Sequence, residues 1–474
     1  MNNKNTKKIT RKIYCFLSIL AVLTLLFSCM GCSKKTPREA LEEAYEKTFT
    51  KGTPTETLLG LTELTSRTKG NNSFSSGLSL SLQELSGEAV GEYAGILSGL
   101  GVNIDTASDL GNKKSAGTMD ITYGGTTYLT LGGQLNDSKL FLTVPQLLAG
   151  SLSIDFSTLK EDLASDSMLA QLFSEAGLTL PENFSPDSLT SFITPDFLTN
   201  LTKFTAAYEA LDQAIIVEKA DKKSVALPSD VSAKNVYNVT IPKDAYVELI
   251  NAAVQSLTDY SASLLEAMGE TGTEELDLAE FEASVIKLAD SVGDIVFTVA
   301  VTKDGYISYA ESKITSEANT FTLTGTFSGK KHPLHDTEVV FEADVDDETV
   351  SISYENSFDT SSNEITFSTG IELNGMTMFT CSGEGTFTDV EKGKKYTLDF
   401  NYLEFEAANV LSVSLAGSYY VDTTKCNIPS PTGTEYHLFR MNQEDFTSLA
   451  LEVITNLQKD PLLSGLLKNL DLGF

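Results

Sequence analysis

Apolar and polar residues alternate along most of this chain, so it reads first as strands. Phe74-Ser-Ser-Gly-Leu78-Ser-Leu80-Ser-Leu82 places its leucines on one face of an extended segment. Met119, Ile121 and Tyr123 repeat the pattern, Gly124-Gly125 turns the chain, and Tyr128-Leu129-Thr130-Leu131 returns. Asn136-Asp137 turns it again into Leu140–Val144, which predicts a meander. The Gly-rich stretch up to Gly111 reads as partly helical. From Ile295 onward nearly everything predicts strand. Phe297–Val301 turns at Asp304-Gly305 into Tyr306–Tyr309, and further strands are expected near 319–327, 337–345, 349–356, 364–373, 376–387, 395–405 and 410–421. Asn374-Gly375 is the strongest hairpin signal among them.

Helical spacing interrupts this pattern in four places. Thr36 is placed to cap a helix, Pro37 fits its first turn, and Glu39 completes a capping box. Residues 157–217 carry Leu159, Leu163, Met168, Leu169, Leu172 and Phe173, then an amphipathic helix with Phe197, Leu201, Phe204, Tyr208 and Leu211. Strand Val236–Ile241 precedes Pro242, which opens a helix with Tyr246, Leu249, Ile250, Ala253, Val254, Leu257, Tyr260 and Leu264; Leu278–Val292 predicts another. A C-terminal helix starts at Asn442 and carries Phe446, Leu449, Ala450, Val453, Ile454 and Leu457, with Leu462, Leu463, Leu466 and Leu467 extending its stripe. The expected class is α+β: one or more large antiparallel meander sheets, with helices on one face and a C-terminal helix. Residues 295–421 are expected to form one mainly antiparallel sheet that buries Phe297, Val301, Ile352, Phe367, Leu398, Phe400 and Val413.

The first 35 residues supply an address. Lys4, Lys7, Lys8, Arg11 and Lys12 precede an apolar run from Ile13 to Ser28, which is a basic head on a short apolar body. The run ends on Cys29-Met30-Gly31-Cys32 and is similar to a bacterial lipoprotein signal. Leu26 and Ser28 stand where the lipobox places its apolar and small residues, which favours Cys29 as the lipidated residue, with Cys32 as the alternative. The resemblance implies cleavage after residue 28, palmitate-type acylation, and residence on the outer face of a bacterial plasma membrane. The expected domains are a signal peptide at 1–28, a lipidated tether at 29–35, an α+β domain at 36–328, and a β-meander with C-terminal helices at 329–474. The last is either separate from the preceding sheet or continuous with it. The order of helix, meander, helices and further strands over 36–327 resembles lipid-carrier lipoproteins of the LolA and LprG type. That resemblance implies a curved sheet wrapped around helices and an acyl-chain cavity; residues 336–441 exceed its pattern.

Charge narrows the partners. Removing residues 1–28 takes away five positive charges and no negative one, leaving 29 Lys and Arg against 65 Asp and Glu and a formal charge of −36. Nucleic acid needs basic patches, and anionic lipid repels such a surface. A charge of this sign keeps an exported protein soluble above the bilayer that holds it.

The candidate chemistry is sparse. His332-Pro-Leu-His335-Asp336 holds two of the three histidines and has ligand types that suit Zn²⁺, but Pro333 makes it a loop with no further strong ligand close by, so no metal is expected. Asp344-Val-Asp-Asp-Glu348 has the composition of a calcium loop without the glycine turn or distal glutamate, and reads as a hairpin turn. Cys381 and Cys426 are the two cysteines within the fold and are candidates for a disulfide, which export permits; two free thiols are the other reading. No GxSxG, HExxH or GxxxxGK[ST] motif occurs, and no cofactor is implied.

The leading expectation is a membrane-anchored, non-catalytic binding or scaffold module, with the membrane and a cell-envelope protein or apolar ligand as partners. Two other readings stand beside it. A carrier of lipid or another apolar ligand predicts loosely seated helices at 195–213 and 242–267 over a continuous apolar cavity. A cell-wall hydrolase predicts two carboxylates lining a cleft.

Overall fold

The computed structural model describes residues 36–88, 90–91, 94–165, 167–175, 195–229, 231–267, 278–316, 319–345, 348–408, 410–431 and 433–459. Cys29, Cys32, the acidic pair at 346–347 and the leucines at 462–467 lie outside them. Among the described residues there are eighteen strands, hydrogen-bonded to neighbouring strands and antiparallel except where noted below. The α+β class expected from patterning is the class observed. The chain folds as two compact units that interleave along the sequence: Met1–Thr57, Phe192–Ser361 and Ile365–Ser382 make the first, and Leu58–Ser191, Ser362–Glu364 and Gly383–Phe474 the second. The expected boundary at 328/329 therefore falls inside the first unit, where strand pairing runs across it.

The first unit begins with helix α1 (Pro37–Tyr45), whose N-terminus carries the expected capping box. Thr36 Oγ1 accepts from Glu39 N at 3.3 Å, and Glu39 Oε2 accepts from Thr36 N at 2.6 Å. The helix ends in a wider π turn over Glu46–Thr50. Thr48 in that turn is buried; its hydroxyl accepts from Ile307 N at 2.9 Å and donates to Ala44 O at 2.6 Å. Arg38 ties the other end of α1 to Asp212 at 2.7 Å and to Ile215 O at 3.3 Å.

Seven strands of this unit pair in sequence order: β7 (Ile216–Ala220), β8 (Asn235–Ile241), β9 (Ile295–Val301), β10 (Ile307–Ser316), β11 (Asn319–Phe327), β12 (Asp336–Val345) and β13 (Glu348–Asp359). β14 (Glu364–Leu373) and the first part of β15 (Met376–Glu391) follow. Register aligns one row of side chains across the strands: Val239, Phe297, Ser312, Leu323, Phe341 and Ile352. Three helices pack on that face: α7 (Pro195–Ala214), α8 (Lys243–Ala267) and α9 (Leu278–Val292). Leu211 on α7, Tyr246 and Leu249 on α8 and Ala289 on α9 are almost wholly removed from water against Ile241, Ile295 and Val299. Tyr246 keeps its hydroxyl bonded to Gly293 O at 2.9 Å, and burial with nearby Asp294 pushes its ionisation well above the ordinary tyrosine range.

In the second unit, helices α2 (Pro54–Leu59) and α3 (Leu61–Arg67) lead into β1 (Ser73–Ser86). β1 pairs with β2 (Leu100–Asp109) on one side and β17 (Leu411–Asp422) on the other. β16 (Lys395–Ala407) lies beyond β17. Beyond β2 come β3 (Lys114–Tyr123), β4 (Thr126–Asn136), β5 (Lys139–Thr143) and β6 (Ser151–Asp155). β18 (Glu435–His437) joins β6 in parallel. Helices α4 (Ala94–Leu97), α5 (Leu159–Leu163), α6 (Met168–Glu175) and α10 (Gln443–Lys459) complete this unit. The stretch up to Gly111 is partly helical, at α4, as read from sequence; β2 is the part of it that patterning did not predict. Val102 and Ile104 alternate there, but Gly101, Asn103 and Asp105 mask the pattern, and pairing with both β1 and β3 supplies what local propensity lacks.

Burial also departs from expectation. Phe297 and Val301 are 4% exposed, whereas Ile352, Phe367, Leu398, Phe400 and Val413 are half-buried. The helix-covered core of the first unit is centred on β8–β12, while β16 and β17 are half-exposed along both faces. On α10, Ile454 and Leu451 are exposed, whereas Phe446, Leu449, Val453 and Leu457 are half-buried as expected.

Candidate functional site

The second unit holds a groove of about 370 Å³ on one face of β3, β4 and β5. Register builds its floor. Ala116, Gln134 and Phe141 stand side by side in one row, and Thr118, Gly132 and Thr143 in the next. A Cβ at Gly132 would collide with Thr143 Oγ1, so glycine is what lets the Thr143 hydroxyl lie over the middle of the floor.

Two loops wall the groove, Pro145–Gly150 and Pro429–Pro431. The first leaves β5 in a turn in which Leu147 N and Leu148 N both donate to Val144 O, and Leu148 is buried. Gln146 fastens that loop to β4: its Oε1 accepts from Thr130 N at 3.0 Å and its Nε2 donates to Thr130 Oγ1 at 3.2 Å. Helix α10 holds it from the other side, with Glu452 Oε1 accepting from Ala149 N and Asn456 Nδ2 donating to Leu147 O, both at 3.0 Å. The second loop closes on the first because Ser151 N donates to Thr434 O at 2.9 Å, and Gly150 leaves no Cβ to obstruct Thr434.

The lining is chemically uniform in one respect: it contains no acid, base, histidine or cysteine. Thr118, Thr143, Ser430 and Gln134 offer hydroxyl and amide groups, while Phe141, Leu148 and three prolines offer apolar surface. Such a site can bind by hydrogen bonds and dispersion, and its volume lies within the usual range for small ligands. It presents no side chain for proton transfer at neutral pH.

A polar cluster in the same unit has the composition of a hydrolytic triad. His437 Nδ1 lies 3.1 Å from Ser153 Oγ, and its Nε2 lies 3.3 Å from Glu435 Oε1. Parallel pairing sets Glu435 opposite Ser151 and His437 opposite Ser153. Ser153 is 1% exposed, so no substrate reaches its oxygen. Glu435 is engaged by Lys139 at 2.9 Å. Partial burial alone would raise the Glu435 carboxyl, but the hydrogen bonds from Lys139 and Ser153 outweigh it and hold it below its ordinary range. The cluster satisfies polar groups where β18 joins β6.

The residues singled out in the sequence are dispersed. His332 is buried, with Nε2 3.3 Å from Lys47 O and Nδ1 accepting from Leu334 N at 3.3 Å. Its ring meets Tyr306 edge-on at 5.1 Å, and burial lowers its affinity for a proton. His335 places Nδ1 2.6 Å from Phe358 O and stacks on the Phe358 ring. Asp336 accepts from Ser357 Oγ at 2.8 Å. Among the described residues, no three His, Cys, Asp or Glu side chains converge as metal ligands. Asp344, at the start of the acidic loop, accepts from Thr349 Oγ1 at 2.7 Å. Cys381 and Cys426 are free thiols, both with ionisation raised chiefly by burial, and Cys426 Sγ lies 3.4 Å from Ser108 O. The groove itself carries no sequence motif; its one local signal is Gly132-Gly133 in the middle of a strand, where glycine marks close approach.

No family model matches the chain, and no curated protein matches it significantly. Three solved structures align over most of its length. A mutant of the Rh. blastica porin gives a TM-score of 0.22 at 10% identity, covering 74% of this chain and 98% of the porin. A mutant of transferrin-binding protein B from Haemophilus parasuis gives 0.12 at 9% identity, covering 75% and 76%. Intact Ap-TbpB, with its N and C lobes, gives 0.11 at 7% identity, covering 74% and 76%. Likeness at these scores leaves the reading to the chain's own geometry. No helix among the described residues is long and apolar enough to cross a membrane.

Proposed function

We propose that this protein is a non-catalytic binding module, tethered through Cys29 to the outer face of a bacterial plasma membrane, whose groove on β3–β5 takes a small uncharged ligand. The observation that carries the binding part is the groove lining, which combines four hydroxyl and amide side chains with apolar walls and has no titratable group. A ligand with neutral hydroxyl or amide groups and one apolar face matches it. A carboxylate or phosphate would enter without a cationic partner and lose its hydration. Leu211 on α7 and Tyr246 and Leu249 on α8 are buried in the core against the sheet, which supports this reading over a carrier with loosely seated helices.

The test is calorimetry on the chain from Ser33 onward, which retains every described residue. Chitotriose serves as a neutral hydroxyl- and amide-bearing probe and palmitate as a charged apolar one. Chitotriose is expected to bind, with affinity falling about tenfold or more in Ala116→Leu, whose side chain fills the floor. Palmitate bound equally by both chains, with chitotriose bound by neither, would replace this reading with the carrier.

A further inference from the structure

The apolar face of the first unit continues past the helices that cover it. Beyond Ile352 on β13 the same face passes to β14. Thr369 Oγ1 donates to Ser353 O at 2.8 Å, and Asn374 N donates to Thr349 O at 2.7 Å, which sets Ile371 beside Ile352. Asn374 and Gly375 have φ of 52° and 72°, the signature of a two-residue type I′ turn, so Leu373 faces Met376 and Ile371 faces Met378. The row that starts at Val239 and Phe297 thus ends at Ile371 and Met378. Register puts Tyr354, opposite Val339, on this face as well.

The row changes from core to surface along its length. Phe341 is 3% exposed, whereas Ile371, Met378, Tyr354 and Met376 are 38, 40, 42 and 63% exposed. Scattered single apolar residues are ordinary on a surface; contiguous ones on three strands are not. Two of them are methionines, whose flexible thioethers adapt to different partners.

Charge selects the occupant. From His332 to Ser382 the chain has eleven Asp and Glu and neither Lys nor Arg. Glu338, Glu342, Asp344 and Glu355 are exposed on the reverse face of the same strands, opposite in parity to Phe341 and Ile352. The sheet here is one layer, so their field reaches the apolar face within about a Debye length, ~8 Å at physiological ionic strength. A second copy of this chain or an anionic bilayer would bring further negative charge to the patch. A cationic amphipathic polypeptide would bring apolar side chains to the methionines and positive charge to the carboxylates.

We infer that the Tyr354, Ile371, Met376 and Met378 face of the β14–β15 hairpin docks a cationic amphipathic segment of a partner protein. The inference is independent of the groove on β3–β5. The probe is a short amphipathic helical peptide of lysine and leucine, with a scrambled peptide of identical composition as control. Both are titrated into the chain from Ser33 onward, labelled at its methionine methyls. The Met376 and Met378 resonances are expected to shift while that of buried Met441 stays in place. The scrambled peptide, and the ordered peptide on Met376→Ser/Met378→Ser, should each bind about tenfold more weakly. Added salt should weaken the ordered complex. Equal binding of the two peptides would overturn the inference in favour of unspecific charge attraction. So would binding that leaves the Met376 and Met378 methyls unmoved. Sedimentation of the free chain as a dimer that Met376→Ser/Met378→Ser dissolves would assign the face to a second copy instead.

Discussion

His332 is a buried side chain through which acid is expected to act on this fold. Its ring is fixed between Lys47 O and Leu334 N and packed on Tyr306, whose ring also carries the Lys47 ammonium 4.4 Å from its centre. Burial is the main reason its proton affinity falls below the ordinary histidine value; the hydrogen bond to Lys47 O opposes it, and the charges of His335 and Lys47 add to it. Above about pH 6.5 the ring is neutral whether the chain is folded or unfolded, and it contributes no pH dependence. As pH falls below that value the unfolded chain takes up the proton first, so stability drops until the lowered folded value is passed. His332→Asn retains an acceptor for Leu334 N and removes the titration. Chemical denaturation between about pH 7 and 5 should show a shallower loss of stability for the variant than for the parent. Parallel slopes would mean that His332 takes up its proton as readily in the folded chain. Ser312 is the opposite case: its hydroxyl is buried in the row between Phe297 and Leu323 without a partner, a cost that no distant feature of the sequence announces.

At the scale of elements, turns are where sequence and structure agree most closely. Gly124-Gly125, Asp304-Gly305 and Asn374-Gly375 all sit between paired strands, with Gly124, Gly125, Gly305 and Gly375 at positive φ. At Gly375 a Cβ would meet nothing within 4 Å, so alanine there incurs only the conformational cost of φ 72°, about 1 kcal/mol. Gly393 has nearly the same φ, 73°, but a Cβ there would collide with the Glu63 carboxylate, and its N–H donates to Leu59 O at 2.7 Å. Gly393→Ala should therefore destabilise its unit by clearly more than Gly375→Ala destabilises its own, by about 1–3 kcal/mol beyond it. Equal losses in denaturant titration would show that the Glu63 side chain moves aside at no cost. The strands that sequence reading missed, β2, β6, β7 and β18, are short or broken by Gly, Asp and Ser. Their existence depends on neighbours that complete their hydrogen bonds.

At the scale of the whole molecule, charge and anchoring belong together. Under the proposed tether, cleavage after residue 28 would leave a formal charge of −36, which anionic lipid repels, and attachment would come from acyl chains that bury methylenes at ~0.8 kcal/mol each. Mass spectrometry of the exported protein is expected to find the mature N-terminus at Cys29 carrying the acyl groups. Cys29→Ala should release or misprocess the protein, and Cys32→Ala should not. An acylated Cys32 at the N-terminus would move the anchor by three residues.

The sequence by itself determined the class and most of the strands, because a period of two and the φ requirements of Gly turns are local properties that neighbouring residues express together. It determined the first helix start through Thr36, Pro37 and Glu39 for the same reason. It did not determine which strand faces are buried. Phe297 and Phe400 alternate equally well in sequence, yet the first lies in the helix-covered core and the second is half-buried. The candidate site was equally out of reach. Ala116, Gly132, Thr143 and Pro429 are ordinary residues up to 313 positions apart, and a groove exists there because register aligns three strands and Thr434 draws a distant loop against Gly150. Covering a face and closing a groove are decided by contacts between residues far apart in the chain, and only the tertiary structure supplies those.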